Sequence, residues 1–482
     1  MLRLALAVLA TALPLTEAGA QAAVRYRLEF QGGANVAVTI TLAEPWSRPA
    51  HFVMPRAIPM GYGTQPYDRF VAELTASDPS GRKVEVTDIE GPRWAIGSSP
   101  DRPLASISYR VDLDRMDRAI LTAGDASRVR ADYLGLLGYS VFGFVDGLED
   151  RPIELVLRLP PTWPIATTLA PKVDATGTTT VRALNFYALA DAQFMAGPGL
   201  ELRRVPSAVP LLVASYAEGP LDLTALAALA DSALREAASW FGSTPFPHFT
   251  VAFESLRPVS PDHGYQFSME HLESATFRYQ SGTLDWSPAG RTRLRYNLLH
   301  HIAHAWIPKR CAPAGYYPFV WDHSAPIEMI WFSEGWAQYA AADMLALTTP
   351  DPAATRRRMA GRRFDAAAAD TLPPIAGLST AALSAISAHQ YSDDFRLAQT
   401  VFSRGGLMAE AIDQRIRERT GGGKSFRDLA RALLAWCATA DQPVSVETLT
   451  TVARRETGVE VGDLIAAWLR PRGAPAAGRP RP

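Results

Sequence analysis

The sequence predicts a multidomain α+β protein, with a β-sandwich at the N-terminus, an α+β unit in the middle and a helical domain at the C-terminus. Three observations carry that prediction. Short alternating apolar runs split by Pro, Gly and Asp fill the chain up to about residue 185; strands followed by helices with clustered histidines occupy about 186–348; helical periodicity dominates 349–470. With 482 residues the chain is long enough for two or three domains, and 48% hydrophobic against 20% charged residues is ordinary globular composition. Lys and Arg number 48 against 49 Asp and Glu, so nothing in the charge favours nucleic acid or an anionic membrane as a partner.

The chain begins MLRLALAVLATALPLTEAGAQAA, with Arg3 ahead of an apolar run and small residues near its end. This reads as a secretory signal peptide over residues 1–22, because the run stops by Leu15 and is too short to span a bilayer. No later stretch is long and apolar enough to cross one, which places the mature chain in the periplasm or outside the cell. Two cysteines, Cys311 and Cys437, can then pair or remain as two buried thiols, and the sequence leaves both open.

In the sandwich, residues 23–185, the strands are VRYRLEF, NVAVTITL, ASISYRVDL and IELVLRLP, with turn chemistry between them in stretches such as ASDPSGRK. It holds no cluster of metal ligands or nucleophiles, and its expected work is packing or shaping a cleft. In the middle unit, residues 186–348, strand-like PLLVASYA precedes the amphipathic helix LDLTALAALADSALREAASWFG, then the strand HFTVAFESL, the segment GYQFSMEHLESATF and a helix through NLLHHIAHAW. The helical domain, residues 349–470, contains LMAEAIDQRIRERT, SFRDLARALLAWCATA and VGDLIAAWLR, and residues 471–482 read as a disordered tail.

His300 and His304 stand four residues apart, so a helix projects both imidazoles from one face, one turn apart, where they can hold one zinc ion. Glu334 lies thirty positions after His304 on a second predicted helix, and its carboxylate can complete a His, His, Glu set that leaves one coordination position to water.

These residues, taken together, resemble the glycyl aminopeptidases, zinc metallopeptidases of the gluzincin type with a thermolysin-like catalytic domain. The zinc helix and the residues just after it read HHIAHAWIPKRCAP, with Lys309 and Pro313; the second helix reads WFSEGWAQY, from Trp331 to Tyr339. Upstream, SMEHLES is similar to the family's Gly-Gly-Leu-Glu-His segment, which implies that Glu270 meets the amino terminus of a peptide. Further likenesses are PRAIPMGYG, similar to a Pro-Gly-x-Tyr turn, and SRGGLMAEAIDQRIRERTGGGKSFRDL in the helical part. The resemblance implies a thermolysin-like unit over 186–348, one zinc ion on His300, His304 and Glu334, and peptide or protein N-termini as partners. The family's usual C-terminal PDZ domain is expected to be missing, since a short tail follows Arg470.

The pattern breaks where the family keeps its proton-transfer and charge-stabilising groups. His301 stands in place of the general base Glu, and losing such a base costs about 10²–10⁴-fold in rate. Phe402 stands in place of the Tyr that faces the oxyanion, and one lost donor costs roughly 10²–10³-fold. Phe267 and Ser268 replace two glycines; Tyr391 is a candidate to supply the missing hydroxyl from another direction. Three readings are open: a pseudoenzyme that keeps zinc and binds peptide N-termini, an active aminopeptidase with His301 as base, and a structural domain without metal. The step of about 100° between consecutive helical residues predicts that His301 points away from a metal held by its neighbours. Asp322, His323 and Glu328 are close enough in sequence to be partners of the histidine rings.

Overall fold

Alternation sets the first unit. In the strand Val24–Glu29, Val24, Tyr26 and Leu28 are buried while Arg25 and Arg27 face solvent, and Asn35–Trp46 repeats the pattern with Val36, Val38 and Ile40 inward. The computed structural model describes residues 23–59, 61–120, 125–317, 319–360, 377–391 and 395–471. The predicted signal peptide and all of the predicted tail but Pro471 lie outside these residues.

These strands belong to an eight-stranded sheet in the order Lys172–Val173, Thr179–Ala183, Ile153–Arg158, Val24–Glu29, Asn35–Trp46, Leu104–Asp112, Val71–Ser77 and Lys83–Val84. All neighbours are antiparallel except Val24–Glu29 and Ile153–Arg158, which pair in parallel. Two four-stranded sheets contribute to the same core, one through Ala50–Val53 and Phe144–Val145, the other through Tyr133–Leu137 and Gln193–Ala196. Packing carries this unit beyond residue 185: Phe186, Leu189 and Phe194 are buried in its core, because the short helix Phe186–Asp191 returns the chain onto the sheet.

A five-stranded sheet follows, in the order Glu201–Pro206, Pro210–Ala217, Phe249–Leu256, Ser274–Gln280, Gln266–Glu270, with parallel pairing at its centre and antiparallel strands at both edges. Its crossover helix Leu223–Phe241 is capped by Asp222, whose side chain accepts from the Ala225 amide, and ends at Gly242 in the left-handed region at φ 75°. The helix Pro288–Ala303 begins with Ser287 as its cap and Pro288 in its first turn, the position where a missing amide hydrogen costs nothing.

The helix Ile330–Ala346 is apolar nearly all round and every one of its residues is buried. It lies between Pro288–Ala303 and the long helix Phe395–Arg419, and the close approach to the latter rests on glycines: a Cβ on Gly335 would stand 2.4 Å from Gly405 Cα, and one on Gly405 would stand 2.0 Å from the Trp331 carbonyl oxygen. Cys311 and Cys437 form a disulfide that ties the segment after Pro288–Ala303 to the helix Phe426–Cys437, settling the pairing that the sequence left open. Among the described residues no helix is long and apolar enough to cross a membrane.

Candidate metal centre

The histidine helix ends at Ala303, with His304 as its terminal cap, and the glutamate helix packs directly against it. His300 Nε2 and His304 Nε2 lie 3.3 Å apart, and each is 3.4 Å from Glu334 Oε2. All three side chains are buried. His304 Nδ1–H donates to the Ile307 carbonyl at 2.9 Å, which turns its Nε2 toward the cluster. For His304 that backbone carbonyl stands where Asp322, His323 and Glu328 were candidates from their place in the sequence. Asp322 is instead gripped by Arg93 at 2.7 and 2.9 Å, and neither His323 nor Glu328 joins the cluster.

The electrostatics suit a cation. Burial pushes the His300 imidazole down to about 3, with Glu334 opposing and the charge on His304 adding to the fall. Burial also works against charge on His304, but the carboxylates of Glu270 and Glu334 outweigh it and raise this group to about 9. Glu334 itself is held well below the usual carboxylate range: burial raises it, and His304 and His300 more than compensate. Two imidazole nitrogens and one carboxylate oxygen, buried and converging at hydrogen-bond distances, are a donor set that fits zinc.

His301 does not point away. The helix ends two residues later, and the ring lies edge-on to Phe277 with Nδ1 3.3 Å from Glu270 Oε2. One ring nitrogen each of His300, His301 and His304 falls within 4.8 Å of the others. The Glu270 carboxyl is lifted by burial, but the charge of His304 and the hydrogen bond from His301 hold it at about 2.

Beside this cluster opens a cleft of about 730 Å³ whose wall includes Tyr62, Phe267, Glu270, Tyr391 and Phe402. Phe402 sits 6.4 Å from the ring of Tyr62, and Tyr391 packs 5.4 Å from that same ring. The Tyr62 hydroxyl pairs with Tyr316 Oη at 2.8 Å, and Tyr316 donates onward to Ser333 Oγ at 3.0 Å, one residue before Glu334. Ser268 accepts from Asn297 Nδ2 at 2.9 Å, so a residue at one of the two glycine positions pins the edge strand to the histidine helix. Tyr62 was signalled only by the PRAIPMGYG turn. Nothing local signalled Asp191, which accepts from the Leu272 amide at 2.7 Å and, at 3.4 Å each, from His271 Nδ1 and Lys309 Nζ. This buried carboxylate of the first unit thus holds the residue after Glu270 and the segment after the histidine helix together.

Residues 25–198 match the family model described as the Peptidase M61 N-terminal domain. An aminopeptidase N family protein from Idiomarina loihiensis superimposes with a TM-score of 0.78 at 18% identity, over 92% of this chain and 76% of that one. An M1 zinc metallopeptidase from Deinococcus radiodurans, in a mutant form bound to a Tyr-Ser-Ala substrate, superimposes with a TM-score of 0.57 at 17% identity over 94% of each chain. The same metallopeptidase without the mutation gives 0.54 at 16% identity over 95% of each. Among curated proteins the sequence has no match. By fold, then, the chain stands with aminopeptidase N family and M1 zinc metallopeptidase structures, and its first unit is similar to the Peptidase M61 N-terminal domain.

Proposed function

We propose that this chain is an exported protein of the zinc metallopeptidase type, resembling the glycyl aminopeptidases, whose cleft captures the amino termini of peptides or proteins and whose peptide hydrolysis is impaired. The observation that carries the reading is the convergence of His300 Nε2, His304 Nε2 and Glu334 Oε2 within 3.3–3.4 Å at the cleft, with an imidazole rather than a carboxylate at 301 and no hydroxyl at 402. The three converging groups would hold one zinc ion. When bound, zinc supplies a Lewis acid that polarises a carbonyl and acidifies water.

The chain's own residues do the rest. Glu270, an anion on the cleft wall, accepts the ammonium group of a peptide terminus, which fixes the direction in which the peptide enters. Tyr62, Tyr391 and Phe402 form an apolar wall for the first side chain. What positions 301 and 402 no longer supply is a compact anionic acceptor for the proton of the attacking water and a hydroxyl for the developing oxyanion, since the ring at 402 has no donor. Export is supported by the N-terminal apolar segment and by the Cys311–Cys437 disulfide, a bond suited to oxidising compartments.

A second reading has an observation of its own. A carboxylate on Nδ1 of His301 is the arrangement that orients an imidazole as a general base, so an active aminopeptidase with His301 as proton acceptor and Glu270 as its orienter is the alternative. The test is zinc content and hydrolysis of glycyl and alanyl substrates for the mature protein, for His304→Ala and for His301→Glu/Phe402→Tyr. Metal in the parent with turnover gained in the double variant is the expected result. Robust parental hydrolysis abolished by His304→Ala would establish the second reading instead, and absence of bound metal would leave the chain a structural protein.

A further inference from the structure

We propose that His301 is itself a ligand of the cation, so that the centre is formed by three histidines and one glutamate. The inference rests on the metal reading above and goes beyond it by assigning the residue that the two catalytic readings treat as a lost or substituted base.

Three observations converge. One ring nitrogen of His301 lies within 4.8 Å of a ring nitrogen of both His300 and His304, and the ring centroids are 4.8 and 5.9 Å away. The ring is also confined: it is buried, and Phe277 stands against it at 5.6 Å with its plane perpendicular. Finally, Glu270 Oε2 lies 3.3 Å from Nδ1, which fixes the orientation of the ring beside the cluster. A carboxylate hydrogen-bonded to one ring nitrogen fixes the tautomer of an imidazole and raises its basicity.

The chemistry of such a centre differs from that of a site with two histidines. Three imidazoles and one carboxylate fill a tetrahedral shell, the arrangement of closed structural zinc sites, whereas catalytic sites keep one position for water. A closed shell accounts for the loss of both catalytic groups without loss of the ligands, because neither group has a task once no water is held. Three nitrogen donors also favour zinc, copper(II) or nickel over magnesium, calcium or manganese.

The experiment loads the metal-free mature protein with one equivalent of copper(II), confirms that zinc displaces it, and counts bound imidazole nitrogens by electron spin-echo modulation. Three nitrogens are expected in the parent and two in His301→Gln, with zinc affinity falling by at least about tenfold on losing that donor. His301→Glu, checked for folding by circular dichroism, serves where His301→Gln does not fold and is also expected to give two. Two nitrogens in the parent, or three in both parent and variant, overturn the proposal while leaving the His300, His304 and Glu334 set standing. Failure to bind either metal sinks both.

Discussion

Glu270 is asked to do two things with one carboxylate. One oxygen faces His301, yet an ionised carboxylate accepts several hydrogen bonds, so the group can hold an imidazole and still receive an ammonium. Glu270→Gln keeps the shape and removes the charge. A hydrogen bond to a charged group is worth about 1.5–3 kcal/mol, so peptides with free amino termini should bind roughly ten- to a hundredfold more weakly, while N-acetylated peptides should lose nothing. Calorimetric titration of both peptide classes checks this, and an equal loss for the two would remove Glu270 from amine recognition. The residues of this centre were unequally legible. The i, i+4 pair His300 and His304 could be read from spacing because helical periodicity is local, and Glu334 because its helix resembles a known one. His301 was misdirected, since the 100° rule speaks of Cα positions on a regular helix and not of a ring turned by Phe277 and Glu270 near the helix end. The Ile307 carbonyl that fixes His304 has no side-chain signature at all.

The helices Ile330–Ala346 and Phe395–Arg419 bring Glu334 and Phe402 to one cleft by packing glycine against glycine. Glycine inside a helix costs about 0.5–1 kcal/mol relative to alanine, and here that cost is offset by an approach no Cβ allows. Gly405→Ala would drive its methyl to 2.0 Å from the Trp331 carbonyl oxygen, a backbone atom that cannot swing aside. The helices must then separate, at a cost of about 1–3 kcal/mol or more, and Glu334, next to Gly335, moves with its helix. The variant should show a lower denaturation midpoint together with reduced zinc retention after dialysis; normal retention would mean that the metal ligands do not depend on this crossing. Which segments would be strands and helices was largely readable, as in Val24–Glu29 and Leu223–Phe241, because alternation and capping are written in consecutive residues. The parallel pairing of Val24–Glu29 with Ile153–Arg158 was not, since neither strand carries a mark of a partner so distant in the chain.

Between the first unit and the five-stranded sheet lies a buried ionic network that couples the folding of the two. Glu254 accepts from Arg128 Nη1 at 2.8 Å, from Tyr133 Oη at 2.8 Å and from Arg278 Nε, while Asp117 receives Arg130 at 2.9 Å and Tyr265 at 2.8 Å. Arg128, Arg130, Tyr133 and Asp117 come from the first unit, and Glu254, Tyr265 and Arg278 from the second, so the bonds of Arg128 and Tyr133 to Glu254 and of Tyr265 to Asp117 form only when the two are docked, whereas Arg130–Asp117 and Arg278–Glu254 each lie within one unit. Burial lifts the Glu254 carboxyl, but Arg128 and Arg278 outweigh it and bring it from an ordinary 4.5 to about 2. A group depressed on folding contributes stability above its unfolded value and loses it as pH falls, here through the window from about 4.5 to about 2. Asp125, beside Gln65 in the first unit, has the opposite sign: burial raises it from 3.8 to about 7, and its contribution is complete below about 4 and lost as pH rises towards 7. Thermal midpoints should therefore fall on both sides of a maximum in mildly acidic solution. Glu254→Gln, although less stable throughout because two guanidinium groups lose their counter-charge, should flatten the fall below pH 4.5, and Asp125→Asn should flatten the decline towards pH 7. The comparison is of slopes, which separates proton linkage from the general cost of each substitution. An acid limb as steep in Glu254→Gln as in the parent would mean that the network linking the two units is not what acid breaks.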